Sequence, residues 1–247
     1  MSEPGGGGEV SARVLLVGAG GIGSPAALAL VEAGVRRFTV VDDDRVELTN
    51  LHRQILFRDE DVGLPKLEAF ANAVRRRAPE ASIETIQGRF RPDTAERLLA
   101  GAAVVLDATD NFASRFLIAD ACGLAGVPVV HAAAIRWRAT VLTAAPSGRP
   151  CYRCLFEDLP EAGAPDCATA GVAGPVCGVA GAIAADRALR VLAGDASVFG
   201  RVVTFDGLRD RLREVRVAPR PGCPLCGDVR SIADLVPNRY ETRSCFE

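Results

Sequence analysis

The sequence predicts an α/β fold of the doubly wound, Rossmann-like type, in which a mostly parallel sheet carries an antiparallel extension. Two observations lead to this prediction. Short apolar runs alternate with helical segments through the first half of the chain, a pattern typical of a parallel sheet covered on both faces. Beyond residue 137 the predicted strands alternate polar and apolar residues, which indicates the antiparallel part.

The first predicted βαβ unit comprises a strand at 13–17, a helix at 22–33 that ends before Gly34, and a strand at 36–41. Further helices are predicted at 65–77, 94–100 and 112–125, and further parallel strands at 81–86, 103–106 and 127–131. The antiparallel strands are predicted at 138–145, 201–205 and 212–217, with an apolar helix at 178–192. The segment 157–175 is rich in Gly, Pro and Ala and is predicted to be a loop.

The length of 247 residues suits one large α/β domain or one domain with a small appendage. We predict a flexible leader at 1–10, a folded domain at 11–227 and a C-terminal tail at 228–247. The formal net charge of -2 lacks the basic excess that nucleic-acid or anionic-membrane partners need. No apolar run reaches the roughly 20 residues of a membrane span, and the start does not resemble a secretory signal. We therefore expect a cytoplasmic protein.

A glycine-rich turn, G-A-G-G-I-G at 18–23, follows the first strand and opens the first helix. Glycines let the backbone approach phosphates, and the helix N-terminus favours negative charge. Asp42 ends the next strand, 19 residues after Gly23, where an acidic residue takes ribose hydroxyls. The pattern predicts a nucleotide site with Gly18, Gly20, Gly21 and Gly23. A turn without ligand and an NAD-dependent dehydrogenase remain alternatives.

The residues after Asp42 favour a triphosphate over a dinucleotide. A cluster of phosphate-type side chains follows it: Asp44, Asn50, Arg53, Gln54 and Lys66. A triphosphate needs extra cations and a metal ligand because charge builds on the phosphates in the transition state. Arg53 and Lys66 supply cations, and Asp110 in the segment T-D-N is a candidate Mg²⁺ ligand. No second domain with a hydride-transfer site is recognisable, which weakens the dehydrogenase alternative.

Two Cys-x-x-C pairs predict a structural zinc site. Four thiolates complete a tetrahedral zinc shell, and the pairs contribute Cys151, Cys154, Cys223 and Cys226. A redox pair is the alternative, but it requires a thioredoxin-like setting that the sequence lacks.

The remaining cysteines and both histidines have weaker signals. Cys167 lies in the predicted loop, where a thiol can attack an activated acyl group or simply have no function. Three other cysteines are expected to be core or tail residues: Cys122 and Cys177 in the core, and Cys245 in the tail. His52 neighbours Arg53 and is expected near phosphate, and His131 is expected to pack at a strand end.

Taken in order, these motifs resemble a known family. The segments G-A-G-G-I-G, V-D-D-D-x-V-x-x-x-N-L-H-R-Q, V-G-x-P-K, D-A-T-D-N, C-Y-R-C and C-P-L-C-G run from about Arg13 to Gly227. They are similar to the ThiF/MoeB/HesA family, the bacterial relatives of ubiquitin-activating enzymes. The resemblance implies a homodimer with a zinc site. It also implies adenylation by MgATP of the C-terminal Gly of a ubiquitin-like sulfur carrier, which prepares the carrier for thiocarboxylate formation.

The resemblance also implies roles for individual residues. Gly21 would contact the nucleotide and Asp42 the ribose, while the phosphates would be held by Asn50, Arg53 and Lys66. Asp110 would bind Mg²⁺ with Asn111 beside it. Cys167 matches a loop cysteine that takes part in acyl or sulfur transfer in some members. The expected catalytic residues are therefore Arg53, Lys66, Asp110 and Cys167.

Two departures from the family pattern affect this expectation. The family's N-terminal helix, with an Arg that reaches the partner subunit's triphosphate, has no counterpart before Arg13. No rhodanese domain follows Cys226. A separate sulfur donor, a rhodanese or a cysteine desulfurase, is therefore expected. Adenylation of a peptide or small carboxylate and a non-catalytic module that binds a ubiquitin-like protein remain alternatives.

Overall fold

The computed structural model describes residues 10–160 and 170–241, which form an eight-stranded sheet. Five strands are parallel: β1 (Val10–Val17), β2 (Val35–Asp42), β3 (Ser82–Gln87), β4 (Val104–Asp107) and β5 (Val129–Ile135). Three antiparallel strands extend the sheet: β6 (Arg138–Ala144), β7 (Arg201–Asp206) and β8 (Arg211–Arg216). The strand order is β3-β2-β1-β4-β5-β6-β7-β8.

Helices cover both faces of this sheet. The described residues form α1 (Gly23–Glu32), α2 (Lys66–Arg77), α3 (Pro92–Leu99), α4 (Phe112–Ala125), α5 (Tyr152–Leu155) and α6 (Gly174–Leu192). Successive side chains of a strand point to opposite faces, and β1 shows the consequence. Val14 and Leu16 pack in the core with α1, α2 and α6, whereas Leu15 and Val17 pack in the core with α3 and α4.

The sheet changes direction of winding at β1, which lies between β2 and β4. Chain connections leave to opposite sides at this position, so a crevice opens at the carboxyl ends of β1 and β4. Ligands of doubly wound folds bind in such a crevice. The predicted fold class, a Rossmann-like parallel sheet with an antiparallel extension, is confirmed.

Several boundaries and one short helix differ from those predicted. The last helix, α6, begins at Gly174 and not at 178, because Pro175 is tolerated in a first turn where its missing N–H is not needed. Strand β5 continues past His131 to Ile135, paired with β6. The short helix α5 was not predicted, since four residues carry too little periodicity. Cys167 and Cys245 lie outside the described residues.

The described part of the predicted tail packs onto the domain. Ile232 is buried against the cysteine pairs, and Tyr240 is buried against α4, where its hydroxyl donates a 2.9 Å hydrogen bond to Asp120 Oδ2. Among the residues that the structure describes, none of the helices has the length and apolar character needed to span a bilayer.

Candidate active site

The glycine turn makes two contacts that a side chain would prevent. Gly18 has a φ of +94°, and a Cβ there would lie 2.8 Å from the carbonyl oxygen of Ala108. A Cβ on Gly23 would lie 2.0 Å from the carbonyl oxygen of Gly18. Gly23 therefore packs beneath the turn, and the other glycines, Gly18, Gly20 and Gly21, line the cleft in front of it.

The cleft has a volume of about 290 Å³ and lies at the carboxyl ends of β1, β2 and β4. The structure brings together the predicted nucleotide residues other than Gly23 around it: Gly18, Gly20, Gly21, Asp42, Asp44, Asn50, Arg53, Gln54, Lys66, Asp110 and Asn111. They come from five separate segments of the chain, so the motif order in the sequence corresponds to one site in space.

Asp42 links the glycine turn to the end of β2. Its Oδ2 accepts a hydrogen bond from the backbone N–H of Ala19 (2.8 Å), and its Oδ1 accepts one from the N–H of Asp44 (2.9 Å). Burial raises the pKa of Asp42, although the charge of Lys66 acts in the opposite direction. The carboxylate is thus fixed at the cleft wall, where the predicted ribose contact requires it.

Lys66 begins α2 and is buried, with only 6% of its side chain exposed. Its Nζ lies 2.6 Å from Asp44 Oδ2 and 4.0 Å from Asp42 Oδ1. A buried ammonium needs such partners, since an isolated charge away from water is strongly unfavourable. The two carboxylates hold the ammonium at the cleft surface.

Two arginines complete the positive side of the cleft. Arg53 is half-buried, and its guanidinium has no hydrogen bond or ion pair to the part of the chain that the structure describes. Such a group is available to an anion. Arg89, which the sequence analysis missed, follows β3 and pairs with Asp43 at 2.7 Å. Its only sequence signal is its position, directly after Gly88 at the carboxyl end of a strand.

Three polar side chains face the cleft beside these cations. Gln54 is buried, and its Oε1 has no hydrogen-bond partner among the described residues. Asp110 is exposed on the wall formed by the segment after β4. Asn111 caps α4, because its side-chain oxygen accepts a hydrogen bond from the N–H of Ser114 (2.9 Å). Asn111 is thus in the predicted place but also has a structural function.

Carboxylates near the cleft fit a hard divalent cation. Mg²⁺ takes oxygen ligands and is usually bound by one or two carboxylates together with substrate phosphates. The exposed carboxylate of Asp110 is one such donor. Asp42, Asp43 and Asp44 form a second cluster, in which one carboxylate oxygen from each residue lies within 4.8 Å of the others. In this cluster Lys66 already pairs with Asp44 and Arg89 with Asp43, so its negative charge is largely offset.

The four cysteines of the two pairs meet in one cluster. Their sulfurs all lie within 4.8 Å of one another, with Cys151 Sγ 3.4 Å from Cys223 Sγ and Cys154 Sγ 3.3 Å from Cys226 Sγ. A tetrahedral zinc site with bonds near 2.3 Å requires sulfur separations of about 3.8 Å, so the donors fit zinc. Burial and the neighbouring thiols raise the pKa of Cys151. Burial also opposes ionisation of Cys223, but hydrogen bonds from the backbone of Cys226 and Leu225 lower its pKa to about 7. Four neighbouring thiolates would repel one another unless a cation lay between them.

Cys122, Cys177 and His52 differ in where they lie. Cys122 is fully buried and burial raises the pKa of its thiol, which confirms the predicted core position. Cys177 is also buried, but it additionally lines the cleft against Gly21. His52 is exposed and does not line the cleft, and its Nδ1 lies 2.9 Å from the carbonyl oxygen of Thr49.

His131 differs from its predicted role as a packing residue at a strand end. Because β5 continues to Ile135, His131 lies inside the strand, directly opposite Asp107 of β4 in the sheet register. Its Nδ1 lies 2.7 Å from Asp107 Oδ2, and both side chains are buried. The pairing is invisible in the sequence because the residues are 24 positions apart.

Known proteins resemble this chain in sequence and in fold. Residues 10–225 match the model of the ThiF family. The SAMP-activating enzyme E1 of Haloferax volcanii is 42% identical over 230 residues, covering 92% of this chain and 85% of that protein. The sulfur carrier protein adenylyltransferase of Thermus thermophilus is 40% identical over 232 residues, covering 91% and 86%.

A crystal structure of E. coli MccB with MccA-N7isoASN superposes with a TM-score of 0.78 at 22% identity, covering 89% of this chain and 68% of that one. At this identity the likeness establishes the fold alone. The family model spans nearly the whole described chain, and the two relatives match over most of their own length. The chain therefore belongs to the ThiF family.

Proposed function

We propose that this protein is an adenylyltransferase that uses ATP to activate the C-terminal carboxylate of a small ubiquitin-like sulfur carrier. The observation that carries the proposal is the convergence of Arg53, Lys66 and Asp110 on the cleft in front of the glycine turn. A dinucleotide needs its pyrophosphate at the glycines, whereas a triphosphate needs these further charges. The relatives named as a sulfur carrier adenylyltransferase and a SAMP-activating enzyme support the same substrate class.

In this reaction a carboxylate oxygen attacks the α-phosphorus of ATP, and the bond from that phosphorus to the leaving pyrophosphate breaks. The protein contributes position and charge and takes no covalent part. The guanidinium of Arg53, which has no partner among residues 10–160 and 170–241, is suited to the phosphate oxygens that gain negative charge. Lys66 and Arg89 would exchange part of their contact with Asp44 and Asp43 for contact with phosphate.

Two metals belong to the proposal. Asp110 would hold Mg²⁺ on the phosphates, where the ion neutralises negative charge. The cluster of Cys151, Cys154, Cys223 and Cys226 would hold a structural Zn²⁺ that joins α5 to the segment at 223–226.

The partners of the protein also remain proposals. We infer a carrier that ends in Gly-Gly, a separate rhodanese or cysteine desulfurase as the sulfur donor, and a homodimer. Cys167, outside the described residues, is a candidate for acyl or sulfur transfer. The proposed domain boundaries are a leader at 1–10, whose last residue already belongs to β1, an adenylation domain at 11–227, and a tail at 228–247, whose described part packs on that domain. The proposed compartment is the cytoplasm.

Exchange of labelled pyrophosphate into ATP tests the proposal. A carrier ending in Gly-Gly should support exchange, and Arg53→Ala should lower the rate by roughly 10²–10³-fold, as expected for loss of one preorganised charge. Arg58→Ala is the matched control, because Arg58 is exposed, pairs only with Glu60 among the described residues and does not line the cleft. Exchange with a peptide or small carboxylate but with no carrier would contradict the proposed substrate class. Carrier binding without exchange would indicate a non-catalytic module.

A further inference from the structure

A second cavity of about 180 Å³ adjoins the nucleotide cleft. It shares Asp110 and Ala134 with the cleft, and its other walls are mainly apolar: Phe112, Ile135, Leu142, Tyr152 and Phe156. We call this cavity the side pocket. Drug-sized ligands occupy cavities of roughly 300–1,000 Å³, so the side pocket suits a smaller group.

His131 lines the side pocket, and Asp107 fixes which nitrogen of the ring is available. Asp107 is fully buried, and its Oδ1 accepts hydrogen bonds from the N–H and the hydroxyl of Thr109 (3.0 and 2.6 Å). Burial disfavours its charge, but the hydrogen bond from His131 and the charge of Arg115 hold the pKa of Asp107 below its usual value. A carboxylate only accepts hydrogen bonds, so the proton of neutral His131 lies on Nδ1 and the lone pair lies on Nε2.

This Nε2 atom is buried and has no hydrogen-bond partner in the described part of the chain. A buried polar atom without a partner costs about 1–3 kcal/mol, so each one calls for an explanation such as a bound water, an ion or a catalytic role. The ring of Tyr152 packs against His131 with centroids 4.7 Å apart and supplies no hydrogen bond to it. The side pocket thus has mainly apolar walls, and one of its lining residues is a histidine whose buried Nε2 has no partner among the described residues.

An imidazole oriented by a carboxylate, with the second nitrogen free, is the arrangement that activates nucleophiles in many enzymes. Here it adjoins the cleft where the proposed function would form an acyl adenylate. We propose that the side pocket binds a small thiol and that His131 is the general base for its attack on this adenylate, with Asp107 as a positioning residue. This inference rests on the proposed function.

The step balances without an oxidant or a reductant. The S–H bond of the thiol breaks and its proton moves to His131 Nε2. A bond forms between sulfur and the acyl carbon, the bond from that carbon to the phosphate oxygen breaks, and AMP leaves with the electron pair. The imidazolium then releases its proton to solvent or to AMP.

The lining of the side pocket favours a thiol over an amine. An alkyl amine carries a positive charge at neutral pH and would have to enter a mainly apolar cavity beside Arg115, whose guanidinium is held by the carbonyl oxygen of Ala132 (2.9 Å). The carboxylate of Asp110, on the wall shared with the cleft, is the one that the proposed function assigns to Mg²⁺. A thiol is neutral and apolar, and the charge of Arg115 stabilises the thiolate that develops as the proton leaves.

The experiment uses the full chain, the carrier that supports exchange, and dithiothreitol as the thiol probe. Wild type should release AMP faster when dithiothreitol is added, with formation of the carrier thioester. His131→Gln should lower this thiol-dependent release by roughly 10²–10⁴-fold, the usual contribution of a general base, and leave pyrophosphate exchange within about two-fold. Asp107→Asn should lower thiol-dependent release in the same selective way. An equal loss of exchange and release in both variants, or unchanged release in His131→Gln, would overturn the inference.

A second readout does not depend on adenylation. The chain has two histidines, so ¹⁵N-histidine labelling gives resonances from only His131 and His52. Titration with dithiothreitol should shift the Nε2 resonance of His131 and leave the exposed His52 unchanged. A response of His131 together with absent pyrophosphate exchange would reject the proposed function but retain the thiol site. Exchange without any response of His131 would reject the thiol site alone.

Discussion

Lys66 Nζ lies 2.6 Å from Asp44 Oδ2, and this ion pair forms one side of the nucleotide cleft. The two ends of the pair differ in environment, since the Lys66 side chain is 6% exposed and that of Asp44 is 60% exposed. A phosphate can therefore replace Asp44 as the partner while the carboxylate turns to water. The cleft therefore holds the Lys66 ammonium in place before the nucleotide binds, so the side chains need to move little on binding.

Lys66 is the single lysine of the chain, which makes it a selective probe of the cleft. We expect an amine-reactive reagent to modify Lys66 slowly, because the ammonium is buried and paired, and to modify it still more slowly with MgATP present. The measurement is the modified fraction of the peptide containing Lys66 by mass spectrometry, with the chain's α-amino group as the internal control. Equal labelling rates with and without MgATP would place the phosphates away from Lys66.

Gly18 and Gly63 provide a matched pair for the glycine turn. Both have a positive φ, +94° and +89°, but a Cβ on Gly18 would meet the carbonyl oxygen of Ala108 at 2.8 Å, whereas one on Gly63 would meet nothing within 4 Å. Gly63→Ala should cost about 1–2 kcal/mol of unfolding free energy from backbone strain alone. Gly18→Ala should lower the unfolding free energy by more than this and should also abolish ATP binding. The added Cβ would push the glycine turn away from Ala108, in the segment after β4.

Urea unfolding and ATP titration of the two variants check this expectation. If Gly18→Ala loses no more stability than Gly63→Ala and still binds ATP, the close approach to Ala108 does not shape the cleft.

Much of the site could be predicted from the sequence because its residues lie in contiguous motifs. The glycine turn, Asp42, Arg53 and Lys66 each follow a recognisable pattern, and parallel topology brings the motifs to one edge of the sheet. Arg89 could not be found this way. Its approach to Asp43 depends on the register of β3 against β2, in which Gln87 pairs with Asp42.

The pair of Asp107 and His131 was missed for a related reason. The two residues are adjacent only because β4 and β5 are neighbours in this exact register. Strand neighbours follow from the whole fold and not from local pattern, so a histidine inside an apolar run looks like a packing residue. The same limit applies to Tyr240, whose contact with Asp120 spans 120 positions.

The cysteine cluster predicts one tightly bound zinc ion per chain. Cys226→Ser should lose zinc and lower the melting temperature, because the cluster joins α5 to the segment at 223–226 and the remaining buried thiols have no cation. Cys122→Ala is the control, since Cys122 is buried elsewhere and should retain the metal. Zinc is measured by elemental mass spectrometry on both variants. Full zinc content in Cys226→Ser would show that the four sulfurs do not form the site.

The buried pair of Arg153 and Asp120 should be the most sensitive charge pair outside the cleft. Both side chains are at most 3% exposed, and Asp120 accepts two hydrogen bonds from the guanidinium, at 2.8 and 2.9 Å, besides that from Tyr240. Asp120→Ala leaves the Arg153 charge buried beside the ring of Phe116 and should destabilise the fold by about 3–5 kcal/mol.

Asp158→Ala is the matched control for this variant. Asp158 also lies within 3.6 Å of Arg153, but its side chain is 82% exposed, so its removal should change the unfolding free energy by less than about 1 kcal/mol. Tyr240→Phe removes one hydrogen bond to a charged group and should cost about 1.5–3 kcal/mol. Urea unfolding of the three variants measures these differences. Similar losses in Asp120→Ala and Asp158→Ala would mean that burial does not determine the strength of this pair, since burial is the feature in which the two carboxylates differ most.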